Sequence, residues 1–292
     1  MPIPNRPSFS AFLVLTFALL SVAYAQDKPA PLPEVPEILK SAKGTLSMRK
    51  PDGLAVSVDS KTPLSAEQWS AIASLHARVF SFGGGALDDE GMERLVPLDP
   101  VMVTVNGSRV TGKGAAKFGE MKSLKALHTL HITRPTPEAK TALGTHPTLE
   151  VFSTDGAFCI EAVTAPKLQR VDLKHGGASD EFAALLKNHP SLESVRLWSQ
   201  GSLGLSDAAA ASLATIPKLS KLSLEYAVFT YAGGLHNLKG MRGLTSLDLK
   251  DVALSEEDLA RLKADLPNAK VTFTPMTAEY RARRDTMAAK KK

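Results

Sequence analysis

A single cysteine, Cys159, stands in 292 residues, so neither an intramolecular disulfide nor a four-thiolate zinc site can hold this chain together. Aromatic residues are scarce at 6%, with only two tryptophans. Beyond residue 25 no apolar run approaches the eighteen or so residues needed to cross a bilayer as a helix. No GxSxG, HExxH or Cys–His pairing occurs, so the nucleophile elbow and the helical zinc motif are excluded. What remains, 43% hydrophobic and 22% charged residues, is an ordinary globular composition, neither disordered nor collagenous.

The first 25 residues carry one cation, Arg6, then the apolar run Ala11–Leu20, then small residues at Ala23 and Ala25. This predicts a secretory signal peptide over 1–25, cleaved before Gln26, and an exported chain, periplasmic or secreted. Four prolines between Pro29 and Pro36 predict a semi-rigid linker over 26–40.

Self-similarity dominates the rest. Pro166–Leu173, Pro190–Leu197, Pro217–Leu224 and Arg242–Leu249 share the pattern LxxLxL, with Val171 and Val195 at the middle position of the first two. Weaker copies end at Val58, Phe82, Val105, Ile132, Thr154 and Phe273, a mean period of about 24 residues. Each copy is followed at fixed offset by a helix-like signature, as in Leu87–Leu95, Val110–Phe118 and Leu254–Leu262, with a Ser, Thr or Asp in the capping position. Pro147, Pro166, Pro190, Pro217 and Pro267 end these helices before the next strand. One strand–turn–helix unit cannot bury both its inner faces, but a stack of them can.

The pattern resembles the leucine-rich repeat family, in its helical form similar to the ribonuclease-inhibitor-like class and to repeats of exported bacterial proteins. The resemblance implies an α/β solenoid over 41–276, of about ten repeats, with a curved parallel sheet on the concave side and helices on the convex side. The repeat around Leu149–Thr154 departs most from the pattern, with a spacing of 19 residues to the next, and is expected to be irregular or helix-poor around Cys159.

Strand alternation then sorts the concave face. Its N-terminal half is expected to carry Ser57, Ser81, Thr104, Thr129 and Ser153. Its C-terminal half carries Arg170, Asp172, Lys174, Arg196, Trp198, Lys221, Glu225, Asp248 and Lys250. Asp172 and Arg196 fall at equivalent positions on adjacent strands, and Trp198 between Lys174 and Glu225. Trp and Arg among charges on a solvent-facing strand are the composition of an interface anchor, so these nine residues form the candidate surface for a protein or glycan partner. The bland reading is a solvated face with Trp198 folded flat. Trp69 reads as core.

Other motifs give no chemistry. Gly107–Gly114 matches GxxxxGK after a strand, but Gly114 replaces the magnesium-binding hydroxyl, so no nucleotide is expected. His128 and His131, three apart on a strand, point to opposite faces, and the histidines are expected at the surface. Cys159 reads as a small buried hydrophobe. No cofactor, metal or catalytic constellation is indicated, and the chain is not expected to be an enzyme. Residues 277–292 hold six cations against two acids and read as a basic tail, able to contact an anionic surface weakly or to cap the last repeat. An alternative role is an envelope-associated spacer attached through that tail.

Overall fold

The computed structural model describes residues 31–291, so the signal peptide and the first part of the linker lie outside the described residues. Within the linker segment, Glu37–Lys40 makes one helical turn, α1, that buries Leu39. An antiparallel hairpin follows, β1 (Thr45–Arg49) with β2 (Gly53–Ser60). From β2 onward every strand pairs in parallel with the next: β3 (Val79–Gly84), β4 (Met102–Asn106), β5 (Ala126–Leu130), β6 (Val151–Thr154), β7 (Arg170–Lys174), β8 (Ser194–Trp198), β9 (Lys221–Glu225), β10 (Ser246–Val252) and β11 (Lys270–Pro275). The eleven strands lie in sequence order in one open sheet, the architecture of a leucine-rich repeat solenoid.

Helices occupy most of the return segments: α2 (Ala66–Ser74), α3 (Asp89–Leu95), α4 (Gly112–Ala116), α5 (Ala139–Gly144), α6 (Asp180–Ala184), α7 (Asp207–Leu213) and α8 (Glu256–Asp265). The returns after β6 and β9 hold only 3-10 turns, Ile160–Thr164 and Leu235–Gly240. The first is the irregular repeat expected from its shortened spacing. In it Cys159 is fully buried with a left-handed backbone, φ 56°, and burial raises its thiol pKa far above the ordinary cysteine range.

The sheet register stacks the consensus leucines directly. Leu173, Leu197, Leu224 and Leu249 are aligned neighbours, each completely buried, and Val171, Val195, Leu222 and Leu247 form a second column beside them. Trp69 of α2 joins this core, 4% exposed, with its ring 5.6 Å from Phe82.

The register corrects one repeat. Val105 pairs with Thr129, so Thr129 and not Ile132 occupies the core position of β5, and Thr129 is fully buried while His128 faces the concave side between Thr104 and Ser153. Two LxxLxL frames overlap here, one from Leu124 and one from Leu127. The Leu124 frame prevails because the Thr129 hydroxyl donates to the carbonyls of Phe158 (3.3 Å) and Ser153 (3.5 Å), which removes the cost of burying it. The repeat spacings then run 24, 23, 24, 25, 19, 24, 27, 25 and 24 residues.

Helix caps double as fasteners between repeats. Ser179 and Ser206 each cap their own helix by accepting a backbone N–H. The aspartate just after the cap reaches forward: Asp180 accepts from the Ser206 N–H (2.8 Å), the Ser206 hydroxyl (2.5 Å) and the Ala209 N–H (3.1 Å). Asp207 in turn accepts from the Thr230 N–H and hydroxyl at 2.9 and 2.8 Å, and Asp89 grips Thr111 in the same way. That last clip explains why Gly107–Gly114 is no phosphate loop. The Asp89 carboxylate already sits at the start of α4, within 2.2 Å of where a Cβ on Gly114 would lie.

Two histidines expected at the surface are in the core. His146 is 1% exposed and His189 5%. Both open a His-Pro-Thr/Ser-Leu tetrapeptide whose next backbone N–H donates to the ring Nδ1, from Thr148 and from Ser191 at 3.4 Å each. The Nε2–H of His189 donates to the Ala165 carbonyl of the preceding repeat at 2.9 Å. The imidazole closes the helix-to-strand turn, and burial lowers the pKa of both rings.

The C-terminal segment is ordered as α9 (Ala278–Lys291). At about 1.5 Å per residue it is roughly 21 Å long, enough to recross about four strands spaced about 4.8 Å apart. It does so along the carboxyl edge of the sheet. The Tyr280 hydroxyl accepts from the Gly201 N–H (3.0 Å), and the buried Arg284 donates to the carbonyls of Ser202 (3.2 Å), Tyr226 (3.1 Å) and Leu205 (3.4 Å). Thus Arg284, read as part of a basic tail, is 9% exposed and structural, because its guanidinium donates to three carbonyls of the strand-exit loops. Desolvation lowers its pKa.

Candidate binding face

The registers place the nine candidate residues on one face in three rows. Arg170, Ser194, Lys221, Ser246 and Lys270 form the row at the amino ends of the strands. Asp172, Arg196, Ser223, Asp248 and Thr272 form the central row. Lys174, Trp198, Glu225 and Lys250 form the row near the carboxyl ends.

The central residues are tied into one network. Arg196 donates twice to Glu225, from Nε to Oε1 at 2.7 Å and from Nη2 to Oε2 at 3.2 Å. Its Nη1 lies 3.7 Å from Asp172, which also pairs with Lys174 at 3.3 Å. The guanidinium carbon lies 5.3 Å from the centre of the Trp198 ring, a cation–π contact that fixes the indole. Hydrogen bonding to Glu225 holds the Arg196 pKa above its usual value. Asp248 belongs to a second, smaller cluster with Lys250 (3.3 Å) and the Thr272 hydroxyl (2.6 Å).

These residues differ in what they offer a partner. Glu225 lies on the expected face, yet is only 4% exposed because Arg196 and the Ser223 hydroxyl (3.0 Å) cover it. It is a prop for Arg196 and not a contact. Arg170 and Lys221 are exposed, make no ion pair among the described residues, and flank a shallow groove floored by Ser194 with Gln169, Glu193 and Ser220. His128 shares the concave floor, where burial, and then the fields of Arg49 and Lys174, lower its pKa.

Sequence reasoning missed the line just past the strand ends. One register position at or just past the strand end takes a left-handed conformation in most repeats: Gly84 (φ 62°), Gly107 (64°), His131 (55°), His175 (48°), Tyr226 (59°) and Asp251 (50°). Glycine bears this at no steric cost, whereas a side chain there costs about 1 kcal/mol. The first two glycines were the available signal. This conformation takes His131 out of the strand, where its Nδ1 meets Asn106 at 2.6 Å, so it and His128 occupy separate sites. His175, Trp198, Tyr226 and Tyr280 form a continuous aromatic series, ring centres 5.0, 6.3 and 5.0 Å apart in turn. Among the described residues no group of three or more His, Cys, Asp or Glu side chains is placed to hold a metal, and no helix is long and apolar enough to cross a membrane.

No family model matches the chain, and no curated protein does either. Among solved structures it is similar to a leucine-rich repeat protein of Leptospira interrogans, at 15% identity over 73% of this chain with a TM-score of 0.45; the match spans 58% of that protein's length. It is also similar to a Bacteroides fragilis protein (15% identity, 68% of this chain and 78% of that one, TM-score 0.38) and to an internalin of Listeria monocytogenes (13%, 76% and 82%, TM-score 0.35). The leucine-rich repeat fold is read from the chain's own repeat and sheet register.

Proposed function

We propose that this leucine-rich repeat solenoid is an exported, non-enzymatic binding module that engages a protein or glycan with the C-terminal half of its concave face. The observation that carries the reading is pre-organisation. Asp172, Arg196, Trp198 and Glu225 hold one another on a rigid parallel sheet, so little side-chain entropy is lost when a partner docks on them. Arg170 and Lys221, unpaired at the amino edge, supply charge for steering and specificity. Attachment through a free basic tail is the less favoured role, since Arg284 anchors α9 to the solenoid.

The test is affinity capture on the immobilised chain from the exported fraction, followed by a solution Kd for the captured partner. Arg170→Ser with Lys221→Ser is expected to weaken binding at least tenfold, and Arg94→Ser on α3 to leave it unchanged. Equal effects from the two faces would refute the assignment.

A further inference from the structure

The candidate face does not account for the aromatic series at its border. His175, Trp198 and Tyr226 leave three successive strands at the same edge, and Tyr280 is added to them by a helix that returns from the far end of the sheet. Two of these rings, His175 and Tyr226, stand on left-handed backbone where glycine would be free of strain, as it is at Gly84 and Gly107. The left-handed position recurs through the repeats, so what sets these two apart is the ring they carry and not the backbone. Neighbouring bonds fix the rings in place: His175 Nδ1 donates to the Gln200 carbonyl (2.9 Å), and Tyr280 accepts from Gly201 (3.0 Å).

The strand charges beside the rings are spent on one another. Lys174, Arg196 and Lys250 are each held by a carboxylate, Asp172, Glu225 and Asp248, while Asp251 adds a further acid. No cation of this strand set is left for a phosphate, which a single-stranded nucleic acid stacking on the same rings would require, so a polyanion would have to rely on Arg281 and Arg283 of α9. An apolar helix would need an aliphatic groove, and here the exposed material is rings set among hydrogen-bonding groups. A sugar chain offers both what rings and what paired polar side chains recognise: flat C–H faces to stack and hydroxyls to bridge.

We propose that His175, Trp198, Tyr226 and Tyr280, tilted 40°, 41° and 64° to one another in turn, form an aromatic platform on which a neutral glycan chain packs. This deepens the binding-module reading and rests on it. Helix α9 is then part of the site, since it supplies the last ring and locks the strand-exit loops through Arg284.

The test uses the full chain with cellohexaose and chitohexaose as probes, followed by calorimetry and by tryptophan emission. Trp69 is buried, so a change on sugar addition reports Trp198. Tyr226→Gly and His175→Gly each remove a ring while suiting the backbone, so both should fold with an unchanged or raised Tm and bind the recognised hexasaccharide at least tenfold more weakly. Binding unaltered in both variants overturns the proposal, as does failure of both hexasaccharides to bind at millimolar concentration. Tighter binding of oligo(dT) or of a heparin hexasaccharide than of either neutral sugar also overturns it, in favour of a polyanion. Should the sugars fail while Arg170→Ser with Lys221→Ser still weakens the captured partner, the platform falls and the concave binding face stands.

Discussion

Arg196→Ala separates a contact residue from a structural one. Glu225 is 5% exposed in its side chain and accepts two hydrogen bonds from the Arg196 guanidinium, with only the Ser223 hydroxyl as a further side-chain donor. Removing one partner of a buried pair costs about 3–5 kcal/mol, because the other charge is left without compensation. The Arg196 side chain is itself 39% exposed, so water enters part of the vacated space and the lower end applies, about 2–3 kcal/mol. For a domain of this size each kcal/mol moves Tm by about 2–4 °C, which gives a loss of about 4–12 °C by circular dichroism or differential scanning fluorimetry. Arg196→Met combined with Glu225→Leu, which removes both charges and keeps apolar volume, should recover to within about 1 kcal/mol of the parent. A single-variant loss under about 0.5 kcal/mol, or a double variant as unstable as the single, would refute the account of Glu225 as a buried prop. The same reasoning disqualifies Arg196→Ala as a clean probe of partner binding.

Asp180→Ala removes the acceptor for two backbone amides and one hydroxyl of the next repeat, at a cost of about 2–3 kcal/mol. Amide exchange at Ser206 and Ala209 should quicken while Thr111, clipped by Asp89, keeps its protection; uniform loosening would contradict a local clip. His128, His146 and His189 all have pKa values lowered chiefly by burial, so they stay neutral in the fold while the unfolded chain takes up protons below about pH 6.5. Stability should therefore fall as pH drops from 7 to 5.5, by up to about 1.4 kcal/mol per pH unit for each ring, and His189→Gln should flatten the slope. An unchanged slope would show that His189 is not among the groups responsible. Arg284→Ala should free α9 and speed tryptic cleavage after Arg281 and Arg283 with little change in the Tm of the repeats. Cleavage at the parental rate would mean that the helix is held by something other than the three carbonyls.

The repeat was legible because stacking rewards the same apolar residues at the same interval, and Leu173, Leu197, Leu224 and Leu249 sit where a strand period of two puts them. Reading failed at β5, where Leu127–Ile132 is the more apolar frame and Leu124–Thr129 prevails with its terminal hydroxyl satisfied inside the core. It failed at His146 and His189 for a related reason. A ring that closes a turn, and in His189 also donates to the preceding repeat, looks in sequence like any loop histidine beside proline. The candidate face was legible as a set of positions but not as a network, since which cation Glu225 would meet depends on rotamers across a strand gap. The docked face of α9 was hidden by composition: Met276, Tyr280, Arg284 and Met287 follow a helical stripe, but the surrounding charges gave the segment the look of a free tail.

The two ends of the sheet are not alike. At β11 the outer edge continues the parallel direction of its ten-strand run, and Lys270 and Pro275 on it discourage further pairing. At β1 the direction is reversed. Should the β11 edge of a second copy approach the β1 edge of the first, it would meet a strand outside the repeat, so the junction could not continue the repeat-on-repeat stacking of the parallel run. A stack of parallel repeats is by nature open to head-to-tail growth into fibres. Turning a single five-residue strand around replaces the repeat face at that end with a hairpin.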